Sequence, residues 1–127
     1  MATSHTKRSE QLEKYLKKVI NNILYRKIND PRITFVTITR VSASVDLKYA
    51  KIYISIYGDE NHNRNCLKAL RNATKFIRRE IGKDAKIRFI PEIKFLVDED
   101  IEYQYKLLDI VNKVHKEQLH NKDENRK

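Results

Sequence analysis

The stretch ITFVTITRVSASV (33–45), followed by Asp46-Leu47-Lys48 and then YAKIYISIY (49–57), decides the fold. In its second half Ala50, Ile52, Ile54 and Ile56 alternate with Tyr49, Lys51, Tyr53, Ser55 and Tyr57. That period of two places one set on each face of a strand. The first half is rich in Val, Ile, Thr and Phe, the residues that suit a pleated, half-buried surface. Two such runs separated by a short polar segment read as an antiparallel hairpin closed around Asp46-Leu47-Lys48.

Outward from the hairpin the period changes. On the N-terminal side Asn29-Asp30-Pro31 breaks a preceding pattern, because proline lacks a donor and disfavours helical geometry in the residue before it. From Ser9, an expected N-cap, to Arg26, the residues Leu12, Tyr15, Leu16, Val19, Ile20, Ile23 and Leu24 share one face of a helix. On the C-terminal side a second helix is expected from Asn63 to Ile81, stopping at Gly82, whose access to positive φ suits a helix C′ position. A third strand is expected from Lys86 to Val97, with Ile87, Phe89, Pro91, Ile93, Phe95 and Val97 on one face. Pro91 makes it an edge strand or leaves it unpaired at that point, since proline cannot donate to a ladder. A last helix from Ile101 to Leu119 carries Leu107, Leu108, Val111 and Val114.

The order α-β-β-α-β-α is that of a type II KH-like α+β domain: a small three-stranded mixed sheet with helices packed on one face. The expected organisation is a flexible N-terminus (1–8), one KH-like RNA-binding domain (9–119) and a disordered C-terminal tail (120–127).

Charge narrows the function. Residues 1–97 carry 21 Lys and Arg against 9 Asp and Glu (net +12), whereas residues 98–127 carry 6 against 8 (net −2). A basic field on the folded part rather than on a tail calls for a polyanion, since neutralising phosphates releases condensed counterions. A membrane surface fits less well, because no basic amphipathic segment has bulky apolar residues to spare from the core. No apolar run reaches the roughly 20 residues of a membrane span, and MATSHTKRSEQ lacks a secretory signal's apolar segment, so a cytoplasmic protein is expected. The lone Cys66 can form neither an internal disulfide nor a zinc site and reads as a packing residue.

Within the second helix Arg64, Lys68, Arg71, Lys75, Arg78 and Arg79 recur at helical spacing. They stay within about 60° of one line down the helix. Like charges at these spacings repel by about a few tenths of a kcal/mol per pair, so the stripe has a cost that phosphate contact explains better than solubility alone. Only Gly58 and Gly82 are present, so the Gly-x-x-Gly loop with which KH domains clamp single strands cannot form. Contact through the basic helix to structured RNA is expected instead. Tyr49, Tyr53 and Tyr57 could stack on bases or cover the sheet. Asp98, Asp100 and Glu102 could form the magnesium cluster of a nuclease, but carboxylates just before a helix more often cap its amides. His5, His62, His115 and His120 are dispersed and form no catalytic or metal motif, so neither catalytic activity nor a cofactor or metal is expected.

Asp30-Pro31-Arg32, Val36-Thr37-Ile38-Thr39-Arg40-Val41, Asp46-Leu47, Tyr53-Ile54-Ser55, Ile77-Arg78-Arg79-Glu80-Ile81-Gly82, Arg88-Phe89-Ile90-Pro91-Glu92-Ile93-Lys94-Phe95 and Asp98 follow one another in an order and spacing that resemble the ribosome-binding factor A family. The resemblance covers about Arg8 to Val114. It implies a monomeric, non-enzymatic factor that binds free or immature small (30S) ribosomal subunits near the decoding region and the 5′-terminal helix of their rRNA. It further implies assistance in late assembly and 16S rRNA processing, importance in the cold, and release aided by an assembly GTPase. Arg8, Arg32, Lys83 and Arg88 join the six stripe residues as candidate RNA contacts. Two positions depart from the family pattern. Gln11 stands where a second arginine is common, and Ala73-Thr74-Lys75 replaces the Ala-x-Gly that kinks the second helix. Either packing retains that kink or this helix is straighter. A permanent structural protein of the ribosome is the remaining alternative.

Overall fold

The Thr6 hydroxyl accepts the Ser9 N–H at 3.1 Å, while the Ser9 hydroxyl accepts the Thr6 N–H at 2.9 Å. This reciprocal capping box starts helix α1 (Lys7–Arg26) earlier than expected. Thr6 is therefore the N-cap, and Ser9 is a fully buried residue of the first turn. The computed structural model describes residues 6–84 and 86–125, the side chains of 102, 105 and 119–125 excepted. Of the expected flexible N-terminus, residues 1–5 lie outside the described residues, and Lys7 and Arg8 already belong to α1.

The hairpin forms where the alternation requires it. Strand β1 (Val36–Ala43) pairs antiparallel with β2 (Tyr49–Ile56), with a bulge between Ile38 and Arg40. The turn rests on Leu47 at φ 62 and on Asp46, whose Oδ1 accepts from Lys48 N–H at 3.1 Å and from the Ser44 hydroxyl at 2.7 Å. Helix α2 (Glu60–Asn72) is capped by Asp59, whose carboxylate accepts the His62 N–H at 2.7 Å. Helix α3 (Thr74–Ile81) follows after one residue, Ala73. The crossover then delivers β3 (Glu92–Val97) parallel to β2, giving a mixed sheet of order β1-β2-β3 with β3 at the edge. The α+β type II KH-like fold is thus present, with its central helix in two pieces.

One face of the sheet carries the core. Ala50, Ile52, Ile54 and Ile56 of β2, Ile93 and Phe95 of β3 and Ile38 of β1 meet Leu16, Ile20 and Ile23 of α1, Cys66 and Leu70 of α2, and Ile77 and Ile81 of α3. Each fully buried large side chain contributes about 1.5 to 3 kcal/mol relative to exposure. Cys66 lies wholly inside this core, where desolvation pushes its thiol up, as a packing residue would be.

Further expectations need correction, the start of the second helix at Glu60 rather than Asn63 among them. Gly82 ends α3 in right-handed geometry, φ −66, so its value is space: a Cβ there would lie 2.7 Å from the Ile90 Cδ1 methyl. The third strand begins at Glu92 rather than Lys86, and Phe89 is 83% exposed instead of facing the core. The last helix, α4 (Glu99–Asn125), neither starts at Ile101 nor ends at Leu119; the expected tail from His120 lies within it as far as Asn125, with 126–127 outside the described residues. The chain divides into two compact units between Val97 and Asp98. Among the described residues no helix is long and apolar enough to cross a membrane.

Helix α1 is also held by a polar clasp. The Tyr15 hydroxyl donates to Asp84 Oδ2 at 2.7 Å. Burial, then the Asp84 carboxylate, pushes the phenol up to about 12, while Asp84 is held below the usual carboxylate range by the Tyr15 hydrogen bond. The folded pKa lies above the ordinary value of about 10, so this stabilisation is full below about pH 10 and is lost as pH rises through about 12. Urea unfolding of the native chain should therefore lose stability more steeply between about pH 10 and 12 than Tyr15→Phe does. Parallel curves for the two proteins would show the clasp to be absent.

Candidate nucleic-acid interface

The faces of α2 and α3 opposite Cys66, Leu70, Ile77 and Ile81 are cationic because the same helical period that buries those residues turns their basic neighbours outward. Arg64, Lys68 and Arg71 on α2 and Lys75 and Arg79 on α3 are all exposed. The helix interruption at Ala73 does not need glycine. Ala73 has φ −84 and ψ −2, open to any L-residue, and its N–H reaches Ala69 O at 2.9 Å and Leu70 O at 3.1 Å. The Thr74 hydroxyl bonds back to Leu70 O at 3.3 Å, a contact that bends helices. The break is thus retained, with Lys75 in the position where glycine is common.

Arg78 behaves differently from the rest of the stripe. Its Nε donates to Pro91 O and its Nη2 to Ile90 O, each at 3.1 Å, with Glu92 Oε1 at 4.0 Å. This side chain satisfies carbonyls of the irregular segment before β3 and pins that segment to α3. Its side chain is only 34% exposed. Two further candidates are tied to acids. Arg32 grips Asp30 through Nη2 at 2.8 Å and Nε at 3.1 Å, a fork that holds the Asp30 carboxyl below its ordinary range. Lys83 pairs with Glu80, which also takes Lys27 Nζ at 2.9 Å. Glu80 is nearly buried, and the hydrogen bonds of these two lysines keep its carboxyl low.

Arg8 and Arg88 are exposed but lie off the stripe. Arg8 shares a cleft of about 240 Å³ with Lys86, Tyr15 and Leu47, so Lys86 becomes a candidate that helical spacing could not reveal. Arg40 covers one face of the Tyr53 ring, its guanidinium carbon 3.8 Å from the centroid, so that face is closed to a base. Tyr49 and Tyr57 stay exposed. In the second unit Asp98 Oδ1 accepts the Ile101 N–H at 3.3 Å, the capping geometry that its position before α4 implied. Among the described residues no group of three or more His, Cys, Asp or Glu is placed to hold a metal; the Glu102 side chain lies outside them.

A type II KH-like domain without a glycine loop, bearing exposed cations along its split helix, is the class of protein this arrangement defines. The family model of ribosome-binding factor A matches residues 8–111, and the chain belongs to that family. It is similar to the ribosome-binding factor A of Natranaerobius thermophilus, 46% identical over 96 residues that cover 76% of this chain and 73% of that one. Its fold is similar to the solution structure of a putative ribosome binding factor A from Thermotoga maritima, 30% identical, TM-score 0.63, covering 75% of this chain and 91% of that chain. It is also similar to a Thermus thermophilus ribosome binding factor A fitted into the cryo-electron microscopy map of a 30S complex, 23% identical, TM-score 0.57, covering 75% and 93%.

Arg78 and Arg79 are neighbours with separate roles, and mutation should part them. Arg78→Gln is expected to cost about 1 to 2 kcal/mol of stability, the usual worth of charged hydrogen bonds discounted for partial exposure. Arg79→Gln should stay within about 0.5 kcal/mol of the native chain. Equal thermal shifts for the two would remove the pinning role from Arg78.

Proposed function

We propose that this chain is a non-enzymatic maturation factor that binds free or immature small ribosomal subunits and assists late assembly and 16S rRNA processing, including at low temperature. The observation that carries the reading is the exposed row Arg64, Lys68, Arg71, Lys75 and Arg79, set outward on a fold whose family is named for ribosome binding. The Thermus thermophilus relative fitted to a 30S complex supports the choice of subunit. The factor acts by occupancy, as a cytoplasmic monomer: it holds an rRNA arrangement near the decoding region and the 5′-terminal helix until that arrangement is stable, then leaves, aided by an assembly GTPase. Arg8, Arg32, Lys83 and Arg88 add outlying contacts, and those of Arg32 and Lys83 require exchange of an acid partner for a phosphate.

Charge-to-amide substitution tests this directly. For Lys68→Gln, Arg71→Gln, Lys75→Gln and Arg79→Gln together, stability should hold while the slope of log affinity for small subunits against log salt becomes shallower by about 0.7 to 0.9 for each phosphate that is no longer neutralised. Lys113→Gln and Lys116→Gln in the net-acidic second unit serve as controls. A slope equal to the control's would take α2 and α3 out of the binding surface.

A further inference from the structure

A groove of about 880 Å³ runs between the C-terminal half of α1 and the segment 28–36 that leads into β1. Partly buried Leu24, Ile28 and Ile33 line it, together with Tyr25, Phe35 and the amide-bearing Asn29. The two rings are nearly bare: Tyr25 is 87% exposed and Phe35 72%. Phe35 also holds φ 57, a left-handed conformation that is unfavourable for an ordinary L-residue. Its own packing does not repay that cost, because most of the ring faces solvent.

The strained conformation is nevertheless well held. Phe35 O accepts the Tyr57 N–H at 3.0 Å, extending the hairpin ladder by one bond. The ring meets the His62 imidazole edge to face at 6.4 Å, and His62 Nε2 lies 3.3 Å from Thr34 O. Gly58 leaves room for that imidazole, since a Cβ at Gly58 would sit 2.5 Å from its Cδ2. A left-handed, fixed and exposed aromatic beside an open groove lined by both apolar side chains and the amides of Asn21 and Asn29 is what a stacking platform needs.

The electrostatics favour RNA over an apolar peptide as occupant. Exposed Arg26 directly follows Tyr25, and Lys27 after it is engaged by Glu80. Asp30, the acid that lines the groove, is neutralised by the two-pronged contact of Arg32. We propose that this groove takes an unpaired nucleobase of the RNA partner, stacked on Tyr25 and Phe35, with a flanking phosphate against Arg26. The proposal rests on the RNA-binding reading above and adds to it a single-strand subsite distinct from the phosphate-tracking row. It gives the domain, without a glycine loop, a separate means of reading an unpaired nucleotide.

The test uses the full chain and a single-stranded RNA nonamer with one adenine replaced by 2-aminopurine, alongside the same sequence as a duplex. Native protein and Tyr25→Phe should bind the single strand and quench the probe. The double variant Tyr25→Leu and Phe35→Leu keeps apolar bulk but loses the π faces. It should melt like the native chain, lose the quenching and bind about 10- to 100-fold more weakly with an unchanged salt slope. Native-like quenching and affinity in the Leu variant, or no preference for single strand over duplex, would overturn the proposal. Benzophenone at position 25 should couple to rRNA on small subunits, and coupling to a ribosomal protein instead would also overturn it. If the nonamer is not bound but small subunits are, this subsite falls and the maturation-factor reading stands; if small subunits are not bound either, both fall.

Discussion

Burial of one sheet face under α1, α2 and α3 is the constraint on which the first unit depends. Ile52 and Ile54 on β2, the central strand, and Phe95 on the parallel edge strand are fully buried, and they are covered only if Leu70, Ile77 and Ile81 face them. A helix has one such face, so the residues between those anchors must point outward. Among them are Arg71, Lys75 and Arg79, and the same packing that closes the core therefore displays these cations.

That coupling also separates structural charges from available ones. Arg78 lies close enough to the sheet side of the helix to reach Ile90 O and Pro91 O, and it replaces the ladder bonds that an irregular segment ending in proline cannot make. Glu80 draws Lys27 and Lys83 inward and ties α1 to α3. The exposed five of the stripe have no such duty, and conformational freedom of their side chains is what a salt-dependent phosphate contact uses.

Periodicity made the hairpin, the helix faces and the cation row legible, because each is a repeat written into neighbouring residues. Features that depend on one backbone angle or on a distant partner were not legible. Phe35 has the side chain of a strand residue yet takes φ 57, and nothing in ITFV announces it. Gly82 suggested positive φ, but its absent Cβ makes room for Ile90 instead. Residues 86–91 alternate like a strand, yet the carbonyls of Ile90 and Pro91 go to a helix side chain. Thr6 and Ser9 show the milder case, in which two hydroxyls three residues apart could each have been the cap and the longer helix won.

The central claim is that the outer face of α2 and α3 lies against rRNA. Ultraviolet crosslinking of the chain to purified small subunits, read out by mass spectrometry of peptide–nucleotide adducts, tests it most directly. Adducts concentrated in peptides spanning Arg64 to Arg79 are the predicted result. Adducts confined to α4, or a bound complex with rRNA adducts elsewhere and none in this span, would contradict it.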